Sequence, residues 1–197
     1  DSQLTMQDHV AAMCCLCFFQ LRQLRTIRSS LTTDAAKTLA QAFVGGRLDY
    51  CNSLLYGVSG ELLRRLQSVQ NAAARFITGT RKYDHITPVL RSLHWLPVRQ
   101  SIIFKIATLM YRCLNGLAPS YLAADCTVVS AIPGRRQLRS ATSGQLYIPR
   151  TRTVTFGPRS FKVCGPTIWN DLPTRMKDTT LSFDSFRKLL KTFWFDK

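Results

Sequence analysis

Apolar residues recur at three- and four-residue spacing through the first 122 positions, the period of helices that bury one face. Over residues 5–29 the stripe is Val10, Cys14, Cys17, Leu21 and Leu24, with Thr5 and Asp8 placed as a start signal. A second helix is expected from Thr33 and Asp34, carrying Leu39, Ala42 and Phe43 and stopping at Gly45 and Gly46. Helix then resumes over 48–56 and ends at Gly57. The clearest pattern begins at Ser59, an N-cap, with a stripe of Leu62, Leu66, Val69, Ala73 and Phe76 backed by Leu63, Ala72 and Ile77. Gly79 supplies its left-handed stop. Thr87 and Pro88 open a short helix to about residue 95. Pro97 opens another, with Ile102, Ile106, Leu109 and Cys113 inward, Ile103, Met110 and Leu114 alongside, and Ser101, Lys105, Thr108, Arg112 and Asn115 as its polar edge. A brief helical turn over 120–124 closes the block.

The pattern changes near Asp125. From Cys126 to Asn170 there is no acidic residue, while Arg135, Arg136, Arg139, Arg150, Arg152, Arg159 and Lys162 accumulate among Gly, Pro, Ser and Thr. Two short β-type runs, 146–148 and 154–156, suggest an arm with a hairpin. A last helix, capped at Ser182, turns Phe183, Phe186, Leu190 and Phe193 or Trp194 inward and Arg187, Lys188 and Lys191 outward. The expected fold is therefore mainly α: a helical bundle over 1–122, a basic and partly extended arm over 123–181, and a terminal amphipathic helix over 182–197 that packs on the bundle. No repeat of fixed period is visible.

Composition narrows the function classes. At 197 residues and 46% hydrophobic the chain can bury a core. Twenty-seven Lys and Arg against 11 Asp and Glu give a formal charge of +16, an excess that repels itself and favours a polyanionic partner, RNA or DNA. In the arm, cations interleave with Tyr147, Phe156, Phe161 and Trp169, a mixture that can neutralise phosphates and stack on unpaired bases. Phe161 and Trp169 also read as anchors of the arm. On the helix capped by Ser59, the face opposite the stripe is Arg64, Ser68, Asn71 and Arg75, donors able to follow a sugar-phosphate edge. The other reading of that row is a solvated helix face.

Other chemistries find little support. Cys14-x-x-Cys17 with Cys15 has half the spacing of a zinc knuckle, but no second pair follows, and both residues lie on the apolar stripe. The seven cysteines read as reduced thiols of an intracellular protein, nuclear or cytoplasmic. No apolar run reaches the length of a membrane helix, the longest being residues 10–19. The acids are dispersed, with no aspartate pair for two-metal chemistry, no Gly-rich phosphate loop and no nucleophile elbow. Asp84 and His85 beside Arg81 and Lys82 read as a connecting loop rather than a dyad. No cofactor is expected, and no catalysis by this chain alone.

Several phrases nevertheless form a recognisable sequence. RLDYCNSLLYG (47–57), LLRRLQSVQNAAARFITGTRKYDHITPVLRSLHWLPV (62–98), IIFKIATLMYRCLNGLAPSYL (102–122), PRTRTVTFGPRSF (149–161) and GPTIWNDLP (165–173), preceded by DSQLTM at the start, resemble the region after the palm of jockey-like non-LTR (LINE) retrotransposon reverse transcriptases. The likeness covers essentially the whole chain. It implies a thumb-like bundle that holds primer-template beside an upstream palm domain, with Arg64 and Arg75 steadying the backbone and the arm arginines gripping element RNA or target DNA. The family's catalytic aspartates have no counterpart here, so the resemblance implies a non-catalytic piece of a longer polymerase; the start at Asp1 rather than Met fits such a piece. A standalone RNA- or DNA-binding module and a structural interaction domain are the alternatives.

Overall fold

A computed structural model describes residues 5–131, 144–178 and 180–196. The fold is mainly α, and among the described residues the only backbone pairing of β type is one antiparallel bridge, Val128 with Leu146. The chain divides into two compact units, Asp1–Ser101 and Ile102–Lys197.

In the first unit, α1 (Gln7–Thr26) buries Val10, Met13, Cys14, Cys17, Leu21 and Leu24, the expected stripe with Met13 added. Thr32 caps α2 (Thr33–Ala40), its hydroxyl accepting from the Ala35 amide at 3.2 Å. Gly45 and Gly46 do not stop this helix. Both adopt right-handed helical angles, and the chain passes through a π turn (Gln41–Gly45) into α3 (Gly46–Asp49). The wider turn rotates the buried face, so Ala36, Ala40 and Val44 are inside while Ala42 and Phe43 are exposed. The break comes instead at Tyr50 and Cys51, where Cys51 takes a left-handed φ of 51°, and residues 52–55 form a 3-10 turn in place of the expected helix.

The helix α4 (Gly60–Thr78) agrees with its pattern at both ends and along its face. Ser59 Oγ accepts from the Leu62 amide, and Gly79, at φ 72°, closes the last turn by donating its N–H to the Arg75 carbonyl. Leu62, Leu66, Val69, Ala73, Phe76 and Ile77 are buried, and α4 packs against α1 and α2. Each fully buried Leu, Ile or Val contributes roughly 1.5–3 kcal/mol. Polar residues fix the next segment. After α5 (Thr87–Ser92), Gln70 donates to the Leu96 carbonyl at 2.9 Å, and the Val98 amide donates to Gln67 at 2.9 Å. These bonds seat the chain that opens α6 (Val98–Leu114) against α4.

In the second unit, Ile102, Ile106, Met110 and Cys113 of α6 are buried as expected, while Leu109 is half-buried. Thr108, assigned to the polar edge, is buried too; its hydroxyl is satisfied by the Phe104 and Lys105 carbonyls at 2.7 and 2.8 Å. After the short α7 (Ser120–Ala123), the expected arm contains an unforeseen helix, α8 (Phe161–Asn170). Gly165 and Pro166, in the stretch assigned to the arm, are both buried inside this helix. Gly165 permits close packing, since a Cβ there would overlap the Met110 sulfur of α6. Proline inside a helix costs about 3 kcal/mol, which burial of Cys164, Ile168 and Trp169 offsets.

The expected hairpin of 146–148 with 154–156 does not form. Leu146 is claimed by other partners: the Asn170 side chain accepts from its amide at 2.8 Å and donates to its carbonyl at 2.9 Å, as a neighbouring strand would. Val154 is 94% exposed, and 157–159 turn as 3-10 helix. The terminal helix, α9 (Phe183–Asp196), starts where Ser182 Oγ accepts from the Ser185 amide and buries Phe186 and Leu190. Tyr111 stacks on Phe186 at 4.5 Å and donates its hydroxyl to the Leu181 carbonyl, while Trp169 lies 5.9 Å from Phe186.

Candidate nucleic-acid interface

The first unit holds a groove above the seam of α1 and α4. On α1 four of the groove residues stand one position after a buried one: Cys15, Phe18, Arg22 and Arg25 follow Cys14, Cys17, Leu21 and Leu24, with Cys14 and Phe19 also lining the space. On α4 Arg65, Ser68, Ala72 and Arg75 stand one position before Leu66, Val69, Ala73 and Phe76, and Phe76 also lines the space. Two helices buried against each other raise these flanking rows as rims. The space is about 380 Å³ at the Phe18 end and about 700 Å³ at the Arg25 end, and Ser68 lines both parts. Each row spans eleven residues, about 15 Å of helix.

Charge is unequal along it. Arg22 and Arg65 stand beside Phe18 and Phe19, and Arg25, Arg28, Arg75 and Lys82 line the wider part. Among the described residues no acid lines either part. Two of these cations build the wall. Arg28 donates to the carbonyls of Phe76 and Ile77, both at 2.8 Å, and of Leu31 at 3.0 Å, meeting the negative C-terminal end of α4. Arg75 donates to the carbonyls of Arg81 and Asp84 at 3.2 and 3.3 Å, folding the loop after α4 onto its last turn. Arg22, Arg25 and Lys82 are exposed and Arg65 half-buried, and among the described residues none of the four is in an ion pair.

The residues singled out from sequence fall in different places. Ser68 and Arg75 line the groove; Arg64 is exposed but lies one position off the rim row. Ser68 already donates to the Arg65 carbonyl at 2.7 Å. Asn71 accepts from Gln67 at 2.9 Å and belongs with the amides that hold the segment at Leu96 and Val98. In the second unit, Arg150 and Arg152 are exposed, the Arg159 guanidinium lies 5.8 Å from the Phe156 ring centroid, and Lys162 pairs with Asp125 at 3.3 Å. Trp169 is buried and donates to the Gly144 carbonyl at 3.1 Å. Arg135, Arg136 and Arg139 lie outside the described residues. Sequence reasoning passed over Arg22, Arg25, Arg65 and Lys82. The signal was available for the first two in LRQLR, where each arginine follows a stripe leucine.

The buried thiols behave as packing groups. Cys14 and Cys17 are buried on α1, and burial pushes both thiols up, opposed in turn by the charges of Arg65 and Arg47. Burial raises Cys164 to about 11 and Cys126 to about 12, the latter with Cys113 adjacent. Cys15 and Cys51 are exposed. Among the described residues no group of three or more His, Cys, Asp or Glu could hold a metal ion, and no helix is long and apolar enough to cross a membrane. Comparison with protein-family models, curated proteins and solved structures found no match.

Proposed function

We propose that this chain is a non-catalytic nucleic-acid-binding segment, the tail of an RNA-directed DNA polymerase of the non-LTR retrotransposon kind that its phrases resemble. On this reading it holds primer-template or element RNA, the reacting groups belong to a palm domain, and the protein works in the nucleus or cytoplasm. The observation that carries the reading is the row of Arg22, Arg25, Arg65 and Lys82 along a groove free of acids among the described residues.

Each phosphate neutralised on a single strand releases condensed counterions and adds about 0.7 to the slope of log affinity against log salt. Four such contacts give a slope near −3, roughly a fiftyfold loss between about 50 and 200 mM salt. Anisotropy of a labelled oligonucleotide across that range tests the proposal. A steep loss is expected. A flat response, or no binding at low salt, removes it and leaves a domain whose charge serves solubility or protein contacts.

A further inference from the structure

We infer that the groove between α1 and α4 selects single strands, with the rings of Phe18 and Phe19 receiving an unstacked base and the cations along it receiving the flanking phosphates. The inference rests on the nucleic-acid reading above and goes beyond it in assigning the place and the strandedness. Phe18 and Phe19 are 41% and 53% exposed although they occupy the middle of a 20-residue helix that buries six other side chains. A single exposed ring does not mark a contact surface, whereas contiguous exposed apolar groups rimmed by polar residues do. Here they stand with Arg22 and Arg65 on the narrower part of the groove, and Arg25 and Lys82 line the wider part that continues from it past Ser68.

That order, rings first and then a row of cations, matches the chemistry of an unpaired strand, which presents base faces and phosphates together. A duplex keeps its base faces stacked inward and offers side chains on a helix rim only phosphates and groove edges. The cations would therefore attract both forms, and the rings only one. The charge of the groove selects a polyanion over an apolar peptide. An acidic peptide with aromatic side chains is the remaining competitor for the same rims.

The test compares single-stranded and duplex oligonucleotides of one sequence on the full chain, with Phe18→Ala/Phe19→Ala, Phe18→Tyr/Phe19→Tyr and Arg22→Gln/Arg25→Gln/Lys82→Gln variants. All five side chains are exposed, and circular dichroism with a thermal melt checks that each variant is folded. The alanine pair should weaken single-strand binding about tenfold and leave duplex binding unchanged, while the tyrosine pair restores it. The cation variant should weaken both forms and lower the salt slope by about two. A 2-aminopurine in the bound strand should lose fluorescence on the wild-type chain and not on the alanine pair. If wild type binds with steep salt dependence but the alanine pair alters neither form, or both equally, the groove assignment falls and the nucleic-acid reading stands. If wild type binds neither form, both fall. Preferential binding of an acidic aromatic peptide over the oligonucleotide likewise overturns the assignment.

Discussion

In the first unit, cationic and amide side chains form part of the scaffold. Arg28 bonds three carbonyls, including two of the last turn of α4, Arg75 folds the next loop onto that helix, and Gln67 and Gln70 seat the start of α6. In the second unit, Asn170 and Lys177 make bonds of the same kind, but a cluster of rings is added: Tyr111, Phe183, Phe186 and Trp169 meet around α9, and Arg150 and Arg152 stand exposed. The difference bears on how a charge of +16 should be read. A guanidinium that satisfies a helix end is architecture, and only cations left over from that task can meet phosphates without loosening the fold. Two neighbouring arginines of one groove, Arg25 and Arg28, fall on opposite sides of that line.

The sharpest way to break the comparison is to remove a ring. Phe186 is fully buried, so Phe186→Ala should cost about 3–5 kcal/mol and unfold the second unit at lower denaturant. Trp169, whose ring lies 5.9 Å from that of Phe186, reports the transition by fluorescence once Trp95 and Trp194 are replaced by Phe. A loss under about 1 kcal/mol would mean that the ring cluster does not hold the unit. The matching change in the first unit is Arg28→Ala, expected to cost about 1–3 kcal/mol because it orphans carbonyls at the end of α4. Arg28→Lys should recover little of this, since an ammonium cannot reach three carbonyls with the fixed fork of a guanidinium. Full recovery by lysine would show that charge at the helix end, rather than hydrogen-bond geometry, is what counts.

The same division between local and distant partners governs how much of the fold was legible in the sequence. The α4 pattern was legible because each of its signals is local: a serine cap, a stripe at helical spacing, a glycine with positive φ. α8 was hidden because its decisive contact is not local. Gly and Pro locally favour a turn, whereas the packing of Met110 against the bare Gly165 backbone and the burial of Cys164, Ile168 and Trp169 favour a helix there. The hairpin failed for a related reason, since the side chain of Asn170, 24 residues away, does for Leu146 what a strand partner would. At the site, the α4 face opposite the stripe was legible to within one residue. Assigning Arg65 rather than Arg64 to the rim required knowing which helix lies beside α4. Arg25 follows a stripe leucine and Arg28 does not, but nothing local announced that Arg28 would bond three carbonyls while Arg25 stays exposed.

The finest test sets cations that should bind against one that should build. Replacing Arg150 and Arg152 with Gln is expected to change stability by less than about 0.5 kcal/mol, because both side chains are exposed. If they meet phosphates, the salt slope for a single strand falls by about 1.4, with affinity reduced alike for every sequence tried. Arg75→Gln should do the reverse, lowering the unfolding midpoint through the lost bonds to the Arg81 and Asp84 carbonyls while the salt slope barely moves. The two measurements, a denaturation curve and a salt titration, are independent, so each variant occupies a point in a plane rather than on a line. If all three arginines moved both quantities in the same proportion, the division between arginines that build and arginines that bind would dissolve. The charge would then act as one undivided field over the chain.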